Sequence, residues 1–208
     1  INAGRTLAYL TGLDFHLSER PTILLVGKGK TPAIIFPEFE MQKVKNAPIV
    51  LVPFAYSEDT SLWRAVFKKA LDQMGTQEAK IGIEPTAFRF LEMNLIQEVS
   101  NQITFHSAAD ILEQLRMTKD GNEIENIRKA ISIAQAALEM TLPLIRIGIT
   151  EKAISNQLVI NLLKSGSDPD LPFSPIVASG PNSANPHAVP GERELKDGDF
   201  IVIDFGAS

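Results

Sequence analysis

The sequence predicts an α/β domain over residues 1–115 and a second domain over residues 116–208. Short β-type runs alternate with helical spacings through the first part, which is typical of mixed sheets covered by helices. A long amphipathic helix opens the second part, and loops and strands follow from residue 166. With 208 residues, of which 44% are hydrophobic and 22% charged, the chain can form two modest cores.

Short apolar runs bounded by glycine, proline or polar residues predict the strands of the first domain. They are residues 5–10, 23–26, 33–36, 49–52, 80–83 and 103–105. The second and third runs flank Gly27 and Gly29, whose conformational freedom suits the tight turn of an antiparallel hairpin. Pro53 and Pro85 are expected to end the fourth and fifth strands.

Apolar side chains at helical spacing predict the helices between these strands. One short helix is expected over residues 38–46. The next is capped by Asp59 or Thr60 and ends at Gly75. Further helices are expected from Phe88 to Ile96 and near residues 110–115.

A capping box marks the start of the second domain, because Asp120 is followed three residues later by Glu123. The long helix that begins here is expected to stop before Pro143. Its apolar residues recur at helical spacing and are Ile124, Ile127, Ile131, Ala134 and Leu138. Thr150 caps a second helix that ends at Ser165-Gly166, and strands are expected at 175–178 and before Asp204.

Charge and composition exclude several classes of function. The net charge of −5 and the pI near 5.3 argue against a nucleic-acid surface. No apolar run approaches the ~20 residues that span a bilayer. The absence of cysteine excludes a thiol nucleophile and fits a reducing compartment. Neither a Gly-x-Ser-x-Gly elbow nor a Walker loop is present. We therefore expect a soluble cytoplasmic protein that binds neither nucleic acid nor membranes.

Asp204 is the leading candidate for a metal ligand. It follows an apolar strand and is separated from Gly206 by one residue, a pattern that delivers a carboxylate to a cleft. The alternative is that Asp204 caps the next turn. A catalytic metal site needs three or more protein ligands, and the chain ends at Ser208. Because the chain also begins at Ile1 without methionine, we expect it to be a truncated part of a longer polypeptide.

His187 is the leading candidate for a catalytic residue. Pro186 and Pro190 restrict the loop around it, as a group that transfers a proton or binds an oxyanion requires. The alternative is a histidine that merely caps a turn. His16 and His106 are expected to be surface or structural residues.

The motifs of the second part resemble the pita-bread metallopeptidases, which include prolidase, aminopeptidase P and methionine aminopeptidase. The first part resembles the creatinase-type amino-terminal domain of the first two, including Tyr9-Leu10-Thr11-Gly12. The matching motifs occur in the family's order and are Arg116-Met-Thr-Lys119-x-x-x-Glu123-Ile124, Gly148-Ile-Thr-Glu151, Ser179-Gly-x-Asn182-x-Ala184-x-Pro186-His187-x-x-Pro190 and Gly198-Asp199-x-x-x-x-Asp204-x-Gly206.

This resemblance implies an α+β pita-bread domain over residues 116–208, of which only the first portion is present. It implies that Asp204 is the first ligand of a site for two divalent ions, manganese, cobalt or zinc. It also implies that His187 binds substrate and stabilises the transition state. The family's other ligands would lie beyond residue 208, so this fragment is expected to be inactive alone.

Within the family, this amino-terminal domain accompanies cleavage of Xaa-Pro bonds in proline-containing peptides. It also accompanies a homodimer in which the domain reaches toward the partner's active site. Two alternatives remain open. One is a metal-free amidinohydrolase like creatinase, in which His187 acts as the base. The other is a non-catalytic pita-bread module that binds peptides or histones.

Overall fold

The computed structural model describes residues 1–76 and 80–208, which form two compact units. Unit 1 is Ile1–Thr118 and unit 2 is Lys119–Ser208. The sequence had predicted a boundary between residues 115 and 116. Across the described ranges, no helix combines the length and apolar character needed to cross a membrane.

The elements alternate along the chain as the sequence pattern suggests. The α-helices are Arg5–Thr11 (α1), Met41–Lys45 (α2), Trp63–Met74 (α3), Phe90–Gln97 (α4), Ala109–Met117 (α5), Gly121–Thr141 (α6) and Glu151–Lys164 (α7). The strands are Ile23–Leu25 (β1), Ala33–Pro37 (β2), Val52–Tyr56 (β3), Lys80–Ile83 (β4), Thr104–Ser107 (β5), Ile176–Ser179 (β6) and Ile201–Asp204 (β7). Short 3-10 turns cover Glu38–Glu40, Thr60–Leu62, Leu142–Leu144 and Gly180–Ala184.

The predicted hairpin of unit 1 is confirmed. β1 pairs antiparallel with β2, and the Lys30 N–H donates to the Gly27 carbonyl (3.1 Å) to close the turn. Gly29 takes a φ of 69°, which a side chain would disfavour. On its other side, β2 pairs parallel with β3. β4 pairs parallel with β5 in a separate two-stranded sheet. Unit 1 is therefore a mixed α/β domain.

The predicted strand at residues 5–10 is wrong, because this segment is helix α1. Gly12 ends the helix in a left-handed conformation (φ 70°), and its N–H donates to the Ala8 carbonyl at 2.8 Å. Leucine and alanine favour a helix, and a short apolar run does not by itself distinguish a helix from a strand. The apolar pattern of residues 5–10 alone did not distinguish a helix from a strand. In the structure, Gly12 ends the segment as a helix.

The predicted strand at residues 49–52 is also wrong in its bounds. β3 begins at Val52 and runs through Pro53, which was expected to end the strand. Pro53 is exposed, and β3 is an edge strand of the three-stranded sheet. A proline at an edge removes no ladder hydrogen bond when its nitrogen faces away from the neighbouring strand.

Unit 1 buries both faces of this sheet. Side chains of β1 and β2 alternate between two apolar clusters, so that β2 is buried along its whole length. Phe67 of α3 lies in one cluster and Leu7 of α1 in the other, each with 0% of its surface exposed. Trp63 packs beside Tyr56, with ring centroids 4.8 Å apart. Burial of large apolar side chains is the main source of stability here.

Unit 2 begins with the predicted capping box. The Glu123 N–H donates to Asp120 Oδ1 (2.8 Å), and the Asp120 N–H donates to Glu123 Oε2 (2.7 Å). α6 then packs on α7 near its own end, where the Asn161 amide donates to the Thr141 hydroxyl (3.0 Å). The face buried there includes Ile133, whereas the apolar residues of the helix's first turns remain 39–51% exposed. These residues are Ile124, Ile127 and Ile131.

β6 and β7 form an antiparallel ladder that packs its apolar side chains toward α7. Two small clusters result, one around Leu158 and the other around Ile154. This ladder positions both predicted site residues, because Asp204 ends β7 and the loop that carries His187 leaves the end of β6.

Candidate active site

The strand β7 presents Asp204 on its exposed side. Its side chains alternate, so Ile201 and Ile203 lie partly buried in the apolar clusters while Val202 and Asp204 are exposed. In the part of the chain that the structure describes, the Asp204 carboxylate has no hydrogen-bond or ion-pair partner. It does not cap the turn that follows it, as the alternative interpretation required.

His187 lies on an exposed loop between β6 and β7. The Gly180–Ala184 turn begins the loop, and the His187 N–H donates to Asn185 Oδ1 at 3.0 Å. The His187 imidazole is exposed, and it has no hydrogen-bond partner in residues 1–76 and 80–208. Its position therefore depends on how the loop is held rather than on contacts of its own.

The register of the ladder places Asp204 and Ser179, from which the His187 loop departs, at opposite ends. Asp204 pairs with Ile176, whereas Ser179, from which the loop departs, pairs with Ile201. The two positions lie at opposite ends of the ladder, about 10 Å apart along the strand. The structure does not bring His187 and Asp204 into hydrogen-bonding contact.

The described residues do not provide a complete metal site. No group of three or more His, Cys, Asp or Glu side chains that could hold an ion occurs within the described ranges. Asp204 is a suitable single ligand, but one carboxylate does not meet the three or more protein ligands of a catalytic site.

The loop is held at its base by a buried carboxylate that the sequence analysis did not single out. Glu151, at the start of α7, is only 1% exposed. Its Oε1 accepts from the Ser179 N–H (2.7 Å) and hydroxyl (2.8 Å), and the Asn182 amide donates to both carboxylate oxygens (3.1 Å each). The Gly191 N–H donates to Oε2 at 3.3 Å. Burial alone raises the pKa of Glu151, but these hydrogen bonds outweigh burial and hold the pKa below its ordinary value.

Arg193 extends this network to the turn before β7. Its guanidinium donates to the Ser179 hydroxyl (2.6 Å) and to both oxygens of Asp199 (2.7 and 3.1 Å). Asp199 also accepts from the Lys196 N–H at 2.8 Å. The hydrogen bonds from Arg193 and from the Lys196 backbone lower the pKa of Asp199. Asp199 therefore joins the turn before β7 to Arg193.

We call the set of Glu151, Ser179, Asn182, Arg193 and Asp199 the loop anchor. No signal in the sequence identifies it as a unit, because its members come from a helix start, a strand end and two loops. Glu151, Ser179, Asn182 and Asp199 lie in motifs that the sequence shows, whereas Arg193 does not. A first-turn glutamate after a threonine cap is also an ordinary helix start.

A cavity of about 610 Å³ lies beside α7, a volume suited to a small ligand. Its lining includes Lys152, Asn156, Phe173 and Pro190. Neither Asp204 nor His187 lines it. Pro190 is the one residue of the His187 loop in this lining.

Comparison with known proteins accounts for nearly the whole chain. Residues 1–118 match the Creatinase/Prolidase N-terminal domain, and residues 125–208 match Metallopeptidase family M24. The putative dipeptidase YkvY of Bacillus subtilis is 28% identical over 206 residues, which are 99% of this chain and 56% of that protein.

Solved structures share the fold. A dipeptidase from Pyrococcus horikoshii has a TM-score of 0.87 and 32% identity, covering 99% of this chain and 55% of that one. An X-Pro aminopeptidase from Thermotoga maritima has a TM-score of 0.75 and 29% identity, covering 97% of this chain and 52% of that one. The chain thus spans about half the length of the relatives that it matches.

These matches confirm the expected fold class. The chain therefore belongs to the creatinase/prolidase family, with that family's amino-terminal domain followed by part of a family M24 metallopeptidase domain of the pita-bread fold.

Proposed function

We propose that the protein is a metal-dependent peptidase that hydrolyses the amino-terminal Xaa-Pro bond of peptides, as aminopeptidase P or prolidase does. Family membership supports a peptidase, and one structural relative is named an X-Pro aminopeptidase. The observation that carries the proposal is the Asp204 carboxylate, which stands exposed on β7 with no donor among the described residues. A carboxylate presented by a rigid strand is suited to bind a cation.

In this proposal Asp204 supplies one ligand to a pair of divalent ions, manganese, cobalt or zinc. The other ligands must come from residues outside those that the structure describes, since no three-ligand group occurs among them. We therefore expect residues 1–208 alone to be inactive, because a site without most of its ligands does not retain its ions.

His187 is proposed to act on the substrate directly. An imidazole N–H can donate to the scissile carbonyl oxygen, and this hydrogen bond strengthens as negative charge develops on the oxygen. Pro186 and Pro190 fix two φ angles of the loop, so less conformational entropy is lost when His187 takes its working position.

We also propose that the protein acts as a homodimer in the cytoplasm. The absence of cysteine from the sequence supports a reducing compartment. The amino-terminal domain supports a dimer through the family resemblance.

The test uses protein expressed from the full reading frame that contains this sequence, supplied with Mn²⁺ or Co²⁺. We expect cleavage of Xaa-Pro dipeptides or of longer Xaa-Pro peptides, and little cleavage of the same peptides with alanine in place of proline. Asp204→Asn should abolish turnover and reduce bound metal while leaving the circular dichroism spectrum unchanged. Asp197→Asn, a change of another exposed carboxylate in the preceding turn, is the matched control.

Unchanged turnover in Asp204→Asn would remove the proposed role of this residue. Hydrolysis of a guanidino substrate that survives chelation would instead support a creatinase-like enzyme. Peptide binding without turnover would support the non-catalytic module.

A further inference from the structure

The loop of residues 180–190 has two ends that meet at a single side chain. The first end leaves β6 at Ser179, and the second returns at Gly191. Glu151 accepts hydrogen bonds from both, with Oε1 on Ser179 (2.7 Å) and Oε2 on Gly191 (3.3 Å). Asn182, inside the loop, donates to both oxygens (3.1 Å each).

The backbone at the start of α7 reinforces this closure. The Glu151 N–H donates to the Arg193 carbonyl (3.1 Å), and the Lys152 N–H donates to the Gly191 carbonyl (3.0 Å). The returning end of the loop is thus tied to the first turn of the helix. The outgoing end is tied to the same turn through the Glu151 side chain.

Glu151 is not needed to cap its own helix. Thr150 already performs that role, because its hydroxyl accepts from the Ala153 N–H at 3.1 Å. The Glu151 side chain could have pointed into water, as most first-turn glutamates do. Instead it is 1% exposed, and every acceptor contact that it makes is to residues 179–191. The carboxylate therefore serves the loop rather than the helix.

The apolar part of unit 2 does not depend on this carboxylate. The β6–β7 ladder is formed by backbone hydrogen bonds, and Ile154 and Val177 pack together in a separate apolar cluster. Loss of the Glu151 charge should loosen the loop before it unfolds the unit. Since the His187 imidazole has no hydrogen bond of its own within the described residues, loosening the loop also releases His187.

We propose that Glu151 is a positioning residue for His187, holding the two ends of loop 180–190 together so that the imidazole keeps one working position. This proposal rests on the proposed function, in which His187 contacts the substrate. Glu151 itself touches neither the substrate nor the reacting atoms.

The test is Glu151→Gln in protein from the full reading frame. The amide keeps the size of the side chain but places an NH₂ group where one carboxylate oxygen accepted hydrogen bonds. We expect amide hydrogen exchange in residues 180–190 to accelerate by about tenfold or more, with exchange in α7 and β7 unchanged. Glu192→Gln is the matched control, because Glu192 directly follows Gly191 and its side chain is 75% exposed.

Kinetics distinguish positioning from general stabilisation. Glu151→Gln should lower kcat by about tenfold to a hundredfold, with little change in KM, if the interaction lost is one made in the transition state. In a His187→Ala background the same change should cause no further loss, because residues that act through one another are not additive. A merely structural role would lower activity equally in both backgrounds.

Unchanged exchange in the loop, or equal activity losses in the two backgrounds, would overturn the proposal. If Glu151→Gln does not fold, Asn182→Ala is measured in the same way, since it removes a loop donor and leaves the carboxylate in place. If the unsubstituted protein hydrolyses no Xaa-Pro peptide, the proposed function fails. The exchange measurement then still decides whether Glu151 holds the loop.

Discussion

Among the described residues, unit 1 and unit 2 each bury one glutamate, and the two carboxylates have different partners. Glu92 in unit 1 is 0% exposed and pairs with Arg89 three residues earlier, where Arg89 Nε lies 3.0 Å from Glu92 Oε1. Glu151 in unit 2 accepts from residues 28, 31 and 40 positions away in sequence. The first contact organises one helix start. The second joins a helix, a strand and a loop.

The apolar cores of the two units differ in extent. Unit 1 covers both faces of its sheet with two large clusters of buried side chains. Unit 2 has two clusters with only three buried members each. Apolar burial therefore determines the stability of unit 1, whereas hydrogen bonds to a buried charge contribute a larger share in unit 2. The following substitutions test this contrast.

The largest effect is expected from Phe67→Ala in unit 1. Phe67 is 0% exposed, so the substitution leaves a cavity and should lower the free energy of unfolding of unit 1 by about 3–5 kcal/mol. Fluorescence of Trp63, the one tryptophan in the sequence, reports the urea unfolding of this unit. Val50→Ala, at a residue 79% exposed, should change the free energy of unfolding by less than about 0.5 kcal/mol. A loss below about 1 kcal/mol for Phe67→Ala would contradict apolar control of unit 1.

The next effect is expected from Glu151→Ala in unit 2. This change leaves the donors of Ser179, Asn182 and Gly191 without their acceptor and should lower the free energy of opening of loop 180–190 by about 2–4 kcal/mol. Hydrogen exchange in residues 180–190 measures the loss. Glu192→Ala should have little effect, because its side chain is 75% exposed. Equal losses from the two substitutions would remove the special role of Glu151.

Acidification should weaken unit 2 by a smaller amount. Hydrogen bonds hold the native pKa values of Glu151 and Asp199 below those of the unfolded chain. Their stabilisation is therefore complete above the ordinary carboxyl range of about pH 4 and is lost as pH falls through the lowered native values. Protection factors in unit 2, which compare the observed exchange rate with the intrinsic rate at the same pH, should fall below this range. Their dependence on pH should be shallower in Glu151→Gln. The same acid dependence in both proteins would refute the linkage.

The smallest effect on stability is expected from His187→Ala. The imidazole is exposed, so the free energy of unfolding should change by less than about 0.5 kcal/mol. Under the proposed function, kcat on Xaa-Pro peptides should nevertheless fall by about 10²–10⁴-fold. Thermal unfolding and peptide hydrolysis are measured on the same preparation. His106→Ala, in unit 1, should alter neither, and full turnover in His187→Ala would exclude a catalytic histidine at this position.

Signals that act within a few residues predicted the fold well. The Gly27–Lys30 turn, the Asp120–Glu123 capping box and the helix end at Gly75 are all local arrangements of backbone and short side chains. Their geometry follows from residue type and spacing alone. The incorrect strand bounds at Pro53 depended instead on which strand lies at the sheet edge, which only the topology decides.

The residues of the candidate site also fall into two groups, those that local sequence signals identify and those that they do not. His187 could be selected because it follows Pro186, and Asp204 because it ends an apolar run two residues before Gly206. Glu151 and Arg193 could not, since their partners become neighbours only after β6 and β7 have paired with α7 behind them. A sequence pattern contains the donors and acceptors but not the pairing that closes the loop.

Closure by one carboxylate has a consequence for how this region can change over evolution. The hydrogen bonds to Glu151 that hold the base of the loop come from Ser179, Asn182 and Gly191. The tip of the loop, residues 183–189, makes none of them. Replacements of exposed tip residues other than His187 would leave these contacts intact. Under the proposed function, selectivity for different peptides can therefore diversify at these positions while the base of the loop stays the same.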